Sequence, residues 1–254
     1  MSRQNWTREQ LTKALALYCQ MPFGKMHSRN PTIVALAEEI GRTPSAVAMK
    51  LVNFASLDPE LLGRGVGGMA NTSAADREIW SEYYGRWDAL ADALVVPEPL
   101  ELQLAPAKLL RVPRKMPTGP TQVERLTKQR RGQTFFRNAV IAAHEGRCCI
   151  TGITSPVLLR ASHIVPWSHD PSKRLDPRNG LCLNALHDAA FDRGLITFSA
   201  TLELQVSKRV KKEVPEPIYR EMFASHAGTP IKMPERFQPT GEMLAFHRAK
   251  IFVA

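Results

Sequence analysis

Six prolines fall between residues 93 and 120, at Pro97, Pro99, Pro106, Pro113, Pro117 and Pro120. A regular helix does not survive that density, because each ring removes a backbone donor and fixes φ. The stretch reads as an extended, semi-rigid connector that splits 254 residues into two parts of ordinary domain size.

Residues 1–92 read as helical. In WTREQLTKALALY, Thr7 suits an N-cap and apolar residues recur at Leu11, Ala14, Leu15 and Tyr18. NPTIVALAEEIGRTPSAVAMKLVNFASLD then reads as helix, turn, helix. Ile33, Leu36, Ala37 and Ile40 make one apolar face, Gly41 suits a C-cap, and Thr43-Pro44-Ser45 opens a helix lined by Val47, Leu51 and Phe54. A further helix is predicted over Asp76–Leu90, with Ile79, Trp80, Tyr83 and Trp87 inward. A short turn between two small helices is the pattern of a helix-turn-helix unit, whose second helix can enter a major groove. Lys50 and Asn53 are its candidate DNA contacts, and read equally as ordinary solvent-facing residues.

Charge is unevenly distributed. Of the formal net charge of +10, most lies between Lys108 and Arg137, where nine basic residues face the single acid Glu124. A second basic run holds Lys208, Arg209, Lys211 and Lys212. Such runs serve either as solvated surface or as the electrostatic footprint of a polyanion. The polar start MSRQNWTREQ has no signal-peptide apolar stretch, and no apolar run approaches membrane-spanning length, so a cytoplasmic protein without membrane contact is expected. Cys19, Cys148, Cys149 and Cys182 have no paired CxxC spacing; they read as reduced, with Cys149 and Cys182 as small apolar residues in neighbouring strands.

From about residue 121 a helix resumes, with Gly132 as a candidate interruption. CCITGI and VLLRASHIVPW then read as two β-rich runs around a turn at Gly152–Pro156. The loop HDPSKRLDPRNG, the short strand LCLN and the helix ALHDAAFDRG, closed by Gly194, follow. Trp167, Leu181, Leu183 and Phe191 are expected to form a small core beneath them.

Across this segment His163, Asn179 and His187 stand in order, framed by SHIVPW, RNGLCL and LHDAAFDRGLIT. The set resembles the HNH motif of the His-Me finger, or ββα-metal, nucleases, and the likeness runs over about residues 130–200. A weaker likeness to prokaryotic HNH proteins of restriction type continues through TPIKMP and LAFHRAKIF. The resemblance implies an α+β fold: a helical, helix-turn-helix-like domain over 1–92, the basic connector over 93–120, and a nuclease domain over 121–254 with its core at 145–200. It implies a metal-dependent endonuclease that hydrolyses DNA phosphodiesters in restriction or phage defence, with a homodimer as one form. In it His163 is the general base, Asn179 ties the loop that orients the base, and His187 is a metal ligand. Ser162 stands where the family often carries Asp or His, so the cation, Mg²⁺ or Mn²⁺, is expected on His187 with Ser162 and Asp192. Arg130, Arg131, Lys173 and Arg174 are further candidate DNA contacts. The competing reading is a non-catalytic DNA-binding regulator on a degraded HNH fold, which the intact histidines and asparagine argue against.

Overall fold

A computed structural model describes residues 5–65, 72–93 and 120–254, without the side chains of 120–127. The proline-rich connector therefore falls almost wholly outside the described residues. The chain separates into two compact units, Met1–Phe135 and Phe136–Ala254.

The first unit is helical where described: α1 (Arg8–Cys19), α2 (Pro31–Glu39), α3 (Pro44–Ala55), α4 (Pro59–Gly63), α5 (Ala74–Tyr83) and α6 (Trp87–Ala93). Helix starts follow local chemistry. Thr7 and Gln10 form a capping box on α1, Asn30 caps α2 and Thr43 caps α3, the latter two with proline in the first turn. The helix expected over Asp76–Leu90 is two helices, because Gly85 takes φ +84 and turns the chain between them. Tyr18, Phe54 and Trp80 pack together at the centre, and Tyr84 stacks on Trp80 at 4.5 Å.

Two DNA-contact expectations fail here. Lys50 and Asn53 do not face solvent: each is under a tenth exposed. Lys50 Nζ donates to the fully buried Asp76 carboxylate at 2.7 Å, and Asn53 Nδ2 reaches its other oxygen. Asp76 also accepts the backbone N–H of Ser73, the cap of α5. A buried carboxylate requires these donors, so the polar residues of α3 are turned inward to supply them. What α3 exposes is Ser45 and the apolar Met49, with no cation.

The second unit begins within α7 (Pro120–Ala143), which runs unbroken through Gly132. CCITGI, expected as a strand, is a turn. The hairpin instead joins β1 (Leu159–His163) to β2 (Gly180–Asn184), antiparallel with His163 opposite Gly180, and α8 (Ala185–Asp192) follows directly. This is the ββα order. Gly180 is required: a Cβ there would lie 2.3 Å from a Val140 methyl carbon and 2.9 Å from the Phe136 ring, so its absence lets α7 seat on the hairpin. Leu181, Leu183 and Phe191 are buried as expected, whereas Trp167 is only half-buried. A second hairpin, β3 (Ile196–Phe198) with β4 (Leu204–Val206), leads to α9 (Lys208–Glu213), α10 (Glu216–Tyr219), a π-helical turn over Arg220–Ala224, and α11 (Gly241–Lys250). The cysteines are buried thiols with no disulfide.

Candidate active site

The 16-residue loop from Ile164 to Asn179 buries Ile164, Val165 and Leu175, and polar contacts tie its ends together. Asn179, 1% exposed, supplies them. Its Oδ1 accepts from Val165 N at 2.8 Å, and its Nδ2 donates to Val165 O at 3.0 Å and Lys173 O at 3.1 Å. One side chain thereby ties the start of the loop to its middle.

The next residue, Arg174, turns its carbonyl toward the end of β1, where His163 Nε2 lies 3.0 Å away. A carbonyl only accepts, so Nε2 carries the hydrogen and Nδ1 keeps its lone pair. Phe136 stacks on the ring at 3.9 Å and 6°, which fixes its plane. Burial pushes the His163 pKa down, only partly offset by the Arg174 carbonyl and the negative charge of Asp188. The group is therefore a neutral base at pH 7.

His187 is a correction. It is fully buried, and both ring nitrogens are engaged. Nε2 donates to Met222 O at 2.6 Å, while Nδ1 accepts from Asn184 Nδ2 at 2.8 Å. The Phe223 ring meets it edge-on at 5.2 Å. Asn184 fixes this arrangement, because its Oδ1 caps α8 by accepting from Leu186 N and His187 N, leaving the amide to donate. A cation on His187 would have to displace one of these bonds inside the core. The imidazole instead pins the segment around Met222 onto α8.

The residue after it faces the other way. Asp188 and Asp192, one turn apart on α8, lie beside Ser162 of β1. Asp188 is half-buried and Asp192 exposed. The Asp188 pKa is pushed up by burial and by the charge of Asp192, and that of Asp192 by burial. Ser162 Oγ is buried and forms no hydrogen bond of ordinary geometry, yet it is close enough to both carboxyls to favour their ionised forms. Proximity without alignment leaves the hydroxyl's own requirement unmet. Two carboxyls with an unsatisfied hydroxyl beside them form a set of hard oxygen donors. That set fits a hydrated Mg²⁺ or Mn²⁺, which binds through one or two carboxylates and completes its shell with water and phosphate oxygens. Among the described residues, no three His, Cys, Asp or Glu side chains converge as a metal cage.

Of the expected site residues, the structure brings together Ser162, His163, Asn179, Asp192, Lys173 and Arg174. Lys173 pairs with Asp170 at 3.4 Å, and Arg174 donates from Nε to Trp167 O with its guanidinium over the Trp167 ring. Arg130 is exposed on α7 in the first unit, with Arg131 half-buried beside it. Asp188 went unrecognised in the sequence; its spacing of four from Asp192 was the signal available.

No helix of the described residues is long and apolar enough to cross a membrane. Among curated proteins, none matches the chain. Residues 148–199, which hold the hairpin, the loop and α8, match a family model described as HNH endonuclease. The second unit of this chain therefore carries an HNH nuclease domain.

Proposed function

We propose that this chain is a metal-dependent endonuclease that hydrolyses DNA phosphodiester bonds. The observation that carries the reading is His163, a neutral imidazole with its Nε2–H committed to Arg174 O, its Nδ1 lone pair available and the charge of Asp188 acting on it. Nδ1 takes a proton from the attacking water, and the charge of Asp188 favours the imidazolium that forms. Asn179 is a positioning residue: it closes the loop that presents the Arg174 carbonyl, and so sets the direction in which Nδ1 points. Asp188, Asp192 and Ser162 would hold the cation. When bound, it supplies positive charge for the pentavalent phosphate and the departing oxygen.

DNA as the substrate is supported by the HNH family match and by the net charge of +10. The exposed face of α3 offers no cation for a phosphate, so we assign no DNA contact to α3. One such site cuts one strand per visit; a break in both strands takes a second visit or a second copy, and we expect a homodimer on DNA, read by sedimentation of the complex. The biological setting we assign is restriction or phage defence, read by phage plating on cells expressing the chain or His163→Ala.

The direct test incubates purified protein and supercoiled plasmid with Mg²⁺ or Mn²⁺. Wild type should nick, while His163→Ala and Asp188→Asn bind DNA without cutting. Tight DNA binding by wild type with no nicking under either metal would favour the non-catalytic regulator.

A further inference from the structure

Two guanidinium groups in the second unit converge on one oxygen. Arg137, on α7, donates from Nη1 to Leu159 O at 3.1 Å and from Nη2 to Pro156 O at 3.4 Å. Arg160, on β1, donates from Nη1 to the same Leu159 O at 2.8 Å and to Val157 O at 3.0 Å. Among the described residues, their hydrogen bonds go to main-chain carbonyls alone and no carboxylate lies within ion-pair distance of either. Both are half-buried. Like charges brought together away from bulk water repel, and burial and the Arg160 charge together lower the Arg137 pKa. Such a pair is unfavourable unless an anion completes it.

The location says which anion. Arg160 stands on β1 three residues before His163, so the pair borders the site. Arg160 and Ser162 also share one face of β1, two residues apart. Each guanidinium has five N–H donors, and carbonyls accept two hydrogen bonds from Arg137 and two from Arg160. The remaining N–H donors suit an anion, and guanidinium groups match the two non-bridging oxygens of a phosphodiester.

We propose that Arg137 and Arg160 together form a clamp for one backbone phosphate of the DNA strand being cut, adjacent to the scissile phosphate. The clamp rests on the nuclease reading of the site and adds to it a registration point: gripping a neighbouring phosphate fixes which phosphodiester lies before His163. The arginines are positioning residues, because they set the strand and do not touch the reacting atoms.

The test measures binding of the full chain, without metal, to a short duplex across a range of salt. Arg160→Gln and Arg137→Gln should each weaken binding roughly tenfold near physiological salt. Each should also reduce the slope of log affinity against log salt by about one phosphate's worth. A scan with single methylphosphonate substitutions should find one position, next to the cut, where neutralising the phosphate weakens wild type but leaves Arg160→Gln unaffected. Arg137 also braces Pro156 and Leu159, so Arg160→Lys provides a second variant. It should fold, keep the salt slope and lose the single-position methylphosphonate response, since an ammonium lacks the fork.

Wild-type salt slope and methylphosphonate pattern in both glutamine variants would overturn the clamp, as would wild type with no affinity for DNA. The nuclease reading fails separately: wild type that binds with the arginine-dependent pattern but never nicks keeps the clamp and loses the hydrolase.

Discussion

At the scale of single residues, adjacent positions on α8 have opposite roles. His187 is buried between Asn184 and Met222, and Asp188 faces Ser162. Asp188→Asn should retain the fold and reduce metal-dependent nicking by more than about 100-fold, as loss of a direct ligand does. His187→Ala should act through stability, leaving Met222 O and Asn184 Nδ2 unsatisfied at a cost of about 3 kcal/mol. Urea denaturation separates the two, and a His187→Ala protein that melts like wild type yet no longer binds metal would restore His187 as ligand. His163 gives a pH signature. Its lowered pKa means that the base stays unprotonated as pH falls past 6.5, so the acid limb of the nicking rate should lie below that value. An acid limb above 6.5 would mean that the ring is charged in the resting protein.

At the scale of elements, the hairpin, its loop and the helix were legible because turn residues punctuate them. Thr7 and Thr43 marked helix starts that the structure has. Helix phase was not legible. Successive helical residues point about 100° apart, and the order of letters does not say which of 187 and 188 meets β1. The Asn184 cap decides it, through bonds that only folding discloses. Lys50 misled for a related reason: its partner, Asp76, is 26 residues away and on another helix. CCITGI misled because a short run rich in apolar and β-branched residues looks the same in a turn as in a strand. Packing between elements also yields a prediction. Gly180→Ala places a methyl against Val140 and Phe136, costing about 1–3 kcal/mol by overpacking. Because Phe136 is the floor beneath His163, the same variant should lose nicking rate beyond its loss of stability, measured at a temperature where it remains folded.

At the scale of the molecule, buried histidines make the fold sensitive to acid. His144 is lowered to about 4 by burial, and His247 to about 4 by burial with a small opposing contribution from its bond to Phe191 O. Both stay neutral in the folded state while their unfolded counterparts take up protons below about pH 6.5. Stability should therefore be level above that pH, decline as pH falls, and stop declining from this cause near pH 4. Asp188 and Asp192 act in the opposite sense, since raised carboxyl pKa values make the folded form the better proton acceptor. Asp188→Asn should accordingly steepen the acid loss, read as the urea midpoint against pH. Equal midpoints at pH 7 and pH 4.5 in wild type would show that these imidazoles are solvated.

Asn179 precedes Gly180, the dipeptide most prone to spontaneous loss of ammonia through a cyclic imide. In the native protein the amide is enclosed and held at both ends, so the ring cannot close; in an unfolded chain nothing prevents it. Each excursion from the native state thus risks converting Asn179 to an acid that can no longer donate to Val165 O and Lys173 O. Peptide mapping after storage should find that conversion in the inactive fraction and not in the active one, making this residue a chemical clock for how long the protein has spent unfolded.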